Sequence, residues 1–257
     1  LRPDRAAQIP YARILFVLCG AFIMGRASMA QGSSQLWMDG ILGKTFEGIY
    51  RADAEFGYRT LVSSGSNWES FRLAPRMEAA PTAHWTFLLG APFIFTDQQE
   101  GGNTFEARVQ VGAKYNFTPF RRVQSRLNLR YEFRSVEDEG EDLRQNSQRL
   151  RIRAEVVVPL DTDNYRADTM WYAMADAEAF LSADQDVDER FANRARVRVG
   201  AGRKFSYNWR MELIYTVQQS RNSIEDADPS VDNILRLRFK YYFTPRVRRA
   251  ELEHHAN

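Results

Sequence analysis

Few residues of this 257-residue sequence are suited to nucleophilic or metal chemistry. Its histidines are His84, His254 and His255, and its one cysteine is Cys19. A serine hydrolase needs a neutral imidazole to accept the hydroxyl proton. His84 opens an apolar segment and the other two lie in a polar tail, so no Ser-His pair is expected and no catalytic residue is assigned. Asp184, Asp186 and Asp188 alternate like the first ligands of an EF-hand. That loop also requires Gly at its sixth position and Glu at its twelfth, where Glu189 and Ala195 stand. The triplet is at most a looser calcium site, and neither a metal nor any other cofactor is expected.

Guanidinium groups are the more abundant resource. Arg51, Arg59, Arg108, Arg130, Arg151, Arg153, Arg196, Arg198, Arg236 and Arg238 fall on one face of alternating segments. With them come Arg72, Arg76, Lys114, Arg149, Arg194, Arg210 and Lys240. The same face carries fewer acids: Asp53, Glu55, Glu106, Glu132, Glu155, Asp176, Glu178 and Glu212. Confined positive charge favours anions, so the ladder is a candidate ligand or ion path. The other reading is cross-strand ion pairing that fills a narrow interior, since buried charge persists only when paired.

The elements that would hold such a ladder are strands. From Thr104 to Phe117 an apolar face (Phe105, Ala107, Val109, Val111, Ala113, Tyr115, Phe117) alternates with a polar one (Glu106, Arg108, Gln110, Gly112, Lys114, Asn116). The alternation returns at 123–135 and 147–158, and similar segments cover 35–43, 49–60, 68–78, 84–95, 170–182, 191–205, 209–220 and 232–243. That makes about eleven candidates, at the length and spacing of transmembrane barrel strands. Helical reading would place charge on every face. The mean hydropathy of −0.49 does not exclude a membrane location, because alternating strands average to mild polarity.

Connections alternate in length. Short turns are expected at 44–48, 79–83, 118–122 and 206–208, and longer polar loops at 96–103, 136–146, 183–190 and 221–231. Two connections break the rule: 159–169 is long for its side and 63–67 is short. The loops gather acids, including Asp97, Glu100, Glu137, Asp138, Glu139, Glu225, Asp226, Asp228 and Asp232. Trp85, Phe117, Trp171, Phe205, Trp209 and Phe243 fall at the short-turn ends, where an interfacial aromatic girdle belongs. The closing strand ends in Phe239, Tyr241 and Phe243, a pattern that resembles the C-terminal insertion signal read by the barrel-assembly machinery.

Arg2, Arg5 and Arg13 precede the apolar run Ile14 to Met24, and small residues follow before Gln31. This reads as a signal peptide over 1–30, too short for a spanning helix. It is followed by a barrel over 31–243 and a polar tail over 244–257. Removal of the first thirty residues takes four arginines and one acid, and leaves a nearly neutral remainder. Bulk charge therefore gives no case for nucleic-acid binding. Loss of Cys19 also leaves no thiol chemistry.

Taken together, QLWMDGILGKTFEGIYRADAEFGYRT, GGNTFEARVQVGAKYNFTPF, NRARVRVGAGRKFSYNWRMELIYTVQQ and DNILRLRFKYYF resemble the family catalogued as domain of unknown function 2490. That resemblance implies an outer-membrane barrel of unassigned role and brings no catalytic residues.

The expectation is an all-β, antiparallel transmembrane barrel of 10 to 12 strands in the outer membrane of a Gram-negative bacterium. Its partners would be outer-membrane lipid, lipopolysaccharide and, during insertion, the assembly machinery. Its role would be non-enzymatic: structural, or a narrow anion-preferring, porin-like pore. The alternatives are a lipid-modifying enzyme of unfamiliar mechanism and a surface module binding cations or a partner through acidic loops. Strand parity is a difficulty. Even numbers are the bacterial norm, and eleven segments make the first strand run downward, so ten or twelve are entertained and chain length favours twelve.

Overall fold

The computed structural model describes residues 33–62, 68–98, 102–139, 143–182, 192–221 and 230–243. The proposed signal segment, the polar tail, Asp184, Asp186 and Asp188 lie outside them. Twelve strands follow in order: β1 (Ser34–Phe46), β2 (Tyr50–Leu61), β3 (Trp68–Ala79), β4 (Trp85–Gly90), β5 (Phe93–Gln98), β6 (Thr104–Asn116), β7 (Gln124–Asp138), β8 (Leu143–Pro159), β9 (Met170–Ser182), β10 (Ala192–Lys204), β11 (Trp209–Arg221) and β12 (Ser230–Phe243).

Strands β4 and β5 are two halves of one stave. Both pair with β3 on one side and β6 on the other, and the register does not shift between them. The ladder is interrupted where Pro75 of β3 faces Ala91 and Pro92 follows, since proline has no N–H to give. Carbonyls still serve there: Ala91 N donates to Pro75 O at 3.0 Å and Arg108 N to Pro92 O at 2.9 Å.

The sheet therefore closes as eleven staves. All neighbours are antiparallel except at the seam, where β1 pairs with β12 in parallel from Ser34↔Asn233 to Lys44↔Phe243. The count lies within the expected range, between the two even values entertained for it. All eleven candidate segments are present; what misled was the parity norm, which presumes an antiparallel seam. An odd ring of alternating strands must bring two like-directed strands together, and a parallel ladder satisfies their backbone groups almost as well.

Polarity across the wall is inverted relative to a water-soluble barrel. Outward residues such as Phe56, Phe71, Leu73, Phe87, Leu89, Val109, Phe133, Leu213 and Phe239 are exposed, whereas Asp39, Asp53, Glu106, Glu132, Arg149, Asp176, Glu178, Arg198 and Arg236 are buried inside. Inward and outward sets follow the period of two along every stave. A shallow groove of about 520 Å³, lined by Met38, Phe56, Phe71, Phe93 and Phe105 among others, lies on this outer wall and is lined largely by apolar side chains.

At the short-turn end, Trp85, Phe117, Trp171, Phe205, Trp209 and Phe243 are all exposed. They sit in aromatic clusters: Trp85 with Tyr115 at 4.9 Å, Tyr115 with Phe117 at 5.0 Å, and Trp209 with Tyr241 at 4.6 Å between centroids. The β1–β2 turn uses left-handed backbone at Glu47 (φ 48°) and Gly48 (φ 76°), the twist that a tight hairpin needs.

The β7–β8 hairpin extends further than expected, with Asp138 paired to Leu143. Glu137 and Asp138 therefore belong to a strand end and not to a long loop.

The parallel seam is testable by cross-linking. In a Cys19→Ser background, cysteines replacing Met38 and Leu237, which are Cα partners on the outer face, will be joined by a short bis-maleimide. The pair Met38→Cys with Phe243→Cys will not. Equal cross-linking of both pairs would refute the register.

Candidate functional site: the charged lumen

The lumen residues are placed by the same device, the inward positions of strands whose alternate, mostly apolar side chains point outward. Glu132 of β7 is the most enclosed charge, at 0 % exposure. Its carboxylate accepts from Arg149 at 2.5 and 3.0 Å, from Arg151 at 2.7 Å and from Gln110 at 2.8 Å. Arg108 and Arg130 stand 3.9 and 3.8 Å away. Arg151 carries the chain to Glu178 on β9 at 2.7 Å, and Glu178 meets Arg198 at 3.0 Å and Arg196 at 3.7 Å. Arg198 pairs with Asp176 at 2.6 Å, Arg153 bridges Asp176 and Glu155, and Arg126 reaches Glu155 at 3.1 Å.

A second series crosses the seam. Glu212 on β11 accepts from Tyr172 at 2.7 Å and Lys240 at 2.6 Å and pairs with Arg238 at 3.1 Å. Asp39 on β1 binds Arg236 of β12, with Arg238 at 3.8 Å. Arg236 also meets Glu55 of β2 at 3.3 Å, and Glu55 meets Arg72 of β3 at 3.3 Å. The third series joins Arg51 and Arg76 to Asp53 and Glu78, and Lys114 of β6 to Glu78. The three series together draw charged groups from every stave except β4–β5, which Lys114 of β6 spans to reach Glu78 of β3.

Glycines make room for it. A Cβ on Gly202 would stand 2.3 Å from the Tyr172 ring, and one on Gly43 would stand 2.3 Å from Asp53 Oδ1. Those two positions let Tyr172 lean to Glu212 and let Asp53 pack beside the seam.

Above the belt, toward the long-loop mouth, cations and rings alternate across the lumen. The guanidinium of Arg59 lies 4.1 Å from the Trp37 ring centre, and those of Arg196 and Arg236 lie 5.5 Å from it. Arg196 also lies 5.2 Å from Phe180, which Arg149 and Arg151 approach at 5.1 and 4.8 Å. Such contacts strengthen when desolvated.

Below the belt, the turn 160–169 explains its own excess length. Tyr165 packs against the inward cluster Val157, Met170, Tyr172, Met174 and Ile214. Lys204 donates to Tyr165 O at 2.7 Å and sits 4.6 Å from its ring. Arg122 clasps the turn from the neighbouring hairpin through Asp163 at 2.7 Å, and Arg166 lies 5.1 Å from Phe120. The turn forms a tethered floor at the short-turn mouth.

Of the residues singled out from sequence, the ten arginines and six acids assigned to the lumen all face it. Arg59 and Arg130 are the least well matched, Arg59 having no carboxylate within ion-pair distance among the described residues and Arg130 only Glu132 at 3.8 Å. The Arg194 side chain lies outside the described set. Asp39, Glu78 and Asp232 were missed as lumen acids. Asp39 and Glu78 sit on the alternating polar face, so the period of two was the available signal. Asp232, read as a rim residue, is buried, and Ser33 donates to it at 2.7 Å.

His84 is exposed and donates from Nδ1 to the Asn116 carbonyl at 2.8 Å, stacked 5.7 Å from Tyr115. Among the described residues no serine is bonded to it. Among the described residues no group of three His, Cys, Asp or Glu is placed to hold a metal ion. Phe239, Tyr241 and Phe243 point outward on β12, with Tyr241 and Phe243 4.6 Å apart.

The family model "Protein of unknown function (DUF2490)" matches residues 34–228, from the first strand to beyond the eleventh. The chain belongs to this family. Among solved structures, it is similar to "LpxR from Salmonella typhimurium", at 11% identity and a TM-score of 0.49, covering 79% of this chain and 87% of that one. It is also similar to "Translocator domain of autotransporter NalP from Neisseria meningitidis", at 15% identity and a TM-score of 0.42, covering 82% and 91%. No curated protein matches it. In this DUF2490 chain the twelve strands close into a barrel of eleven staves whose buried charged groups face the lumen.

Replacing Glu132 tests how much the belt holds. Glu132→Gln leaves Arg149 and Arg151 facing each other without their shared carboxylate, and should lower the unfolding free energy in urea by ~3 to 5 kcal/mol. Glu137→Gln removes an exposed partner of Arg144 at 3.8 Å, and should cost less than ~0.5 kcal/mol. Equal effects would mean that the lumen pairs are no better than surface ones.

Proposed function

We propose that this DUF2490 protein is a non-enzymatic barrel of the bacterial outer membrane, sealed along its axis, with a structural role in the envelope. The observation that carries the reading is the chain of lumen ion pairs through Glu132 and Glu178, with a cation–ring layer on the long-loop side and the turn 160–169 on the other. A channel needs a continuous wet path, and side chains fill barrels of small strand number. The exposed apolar wall supports a lipid surrounding, and the closed ring leaves no unpaired strand edge for lipid to meet.

The aromatic girdle supports an orientation with the short turns at one headgroup layer. Several of its rings are accompanied by cations, with Lys44 5.2 Å from Phe46 and Arg203 4.9 Å from Trp171. Such pairs suit a phosphate-rich interface. Lipid and lipopolysaccharide are the expected surroundings. Phe239, Tyr241 and Phe243 are the residues we assign to recognition by the assembly machinery. A soluble periplasmic location would require a partner to cover most of the outer wall.

Two measurements test the reading separately. In planar bilayers the full chain should give no single-channel steps, and stable anion-selective currents would replace the sealed barrel with a pore. In vesicles, lipids brominated near the headgroup should quench Trp85, Trp171 and Trp209, each kept as the sole tryptophan, and should spare Trp37 inside the lumen. Quenching of Trp37 alone, or of none, would remove the membrane assignment.

A further inference from the structure

Arg59, like Arg210, is a lumen cation without an ion pair among the described residues. Its guanidinium makes no ion pair or hydrogen bond among the described residues, its Nε is buried without an acceptor, and its one close partner is the face of Trp37. Arg196 and Arg236 share the Trp37 ring with it, each 5.5 Å from the ring centre. Asp39 gives Oδ2 to Arg236, and its Oδ1 is buried beside Gly57 without a hydrogen bond. A guanidinium gathered among like charges inside a protein is costly unless an anion joins it.

The wall beside it is furnished for one. Arg59 pairs in register with Ser70, and Ser70 with Thr96, so that two hydroxyls lie on the next two staves. These hydroxyls bond to each other at 3.3 Å. Arg72 is two residues along β3 on the same inner face, and its Nε also lacks an acceptor. The nearest acids, Asp39 and Glu55, are both engaged by Arg236, and Glu55 also by Arg72.

We propose that Arg59, Arg72, Ser70 and Thr96 form a binding site for a phosphate-class oxyanion, free or carried on a lipid headgroup, on the inner wall near the long-loop ends of β2, β3 and β5. Several donors from adjacent staves suit a tetrahedral oxyanion, which presents acceptors in more directions than a carboxylate. Arg59 is two residues from the end of β2, above the belt, so occupancy requires no passage through the barrel. The inference goes beyond the sealed-barrel reading and does not depend on membrane location.

The test is calorimetric titration of the folded full chain in zwitterionic detergent at constant ionic strength. One arm uses inorganic phosphate and another uses phosphatidic acid in mixed micelles. Saturable binding in either arm is expected. The phosphate arm identifies a free anion and the lipid arm a headgroup. Arg59→Gln should weaken binding by at least about tenfold, while Arg122→Gln, outside the lumen, should leave it unchanged.

If Arg59→Gln fails to show the heat-modifiable mobility of a folded barrel, Ser70→Ala and Thr96→Val decide instead, each expected to weaken binding by about threefold. Absence of saturable binding in both arms, or binding indifferent to these substitutions, would overturn the site. Loss of channel silence in bilayers would not, because the sites of failure are different.

Discussion

A carboxylate shut away from solvent must find its counter-charge within the protein, and that requirement organises the interior of this barrel. Glu132 meets it with two arginines from the adjacent stave and an amide from the stave on its other side. Arg151 has hydrogen-bonding capacity left over, which Glu178 absorbs, while Arg149 lies against the Phe180 ring. The result is a set of bonds between staves that runs perpendicular to the strands, on the inside, while the backbone ladder does the same work within the wall. Removing one member strands its partners in a medium of low dielectric, so the members stand or fall together.

The same constraint accounts for the distribution of small and aromatic residues. Tyr172 can reach Glu212 only because Gly202 vacates the space beside it. Trp37, Phe180 and Tyr165 occupy the lumen where charges are too sparse to fill it, and each is flanked by cations that suit a ring face. The floor at 160–169 belongs to this logic. Its apolar contact with Met170, Met174 and Ile214 closes the end where the ionic belt gives out.

Much of the architecture was legible because a barrel strand carries its own address. Alternation along Thr104–Phe117 separated inside from outside residue by residue, and the ladder of lumen arginines followed from it without any knowledge of pairing. What could not be read was anything that depends on which strand meets which. Glu178 is one acid among several in sequence, and only the β8–β9 and β9–β10 registers show it shared between Arg151, Arg196 and Arg198. The length of 159–169 stood out, but its inward course depends on a cluster assembled from β8, β9 and β11. Arg59 looked like every other arginine of the ladder, and its want of a partner is a property of the neighbours that Trp37 and Ser70 happen to be. Strand parity was misjudged for a different reason: a norm for other barrels was allowed to outweigh a direct count.

An even ring of alternating strands returns the chain to the side from which it set out. Eleven staves do not. Ser33 stands at one mouth and Phe243 at the other, so the polypeptide has a net direction through the wall that carries it. The seam held by Asp39 and Arg236 joins residues 197 apart in sequence, so the ring is closed by its first and last strands and by no local hairpin.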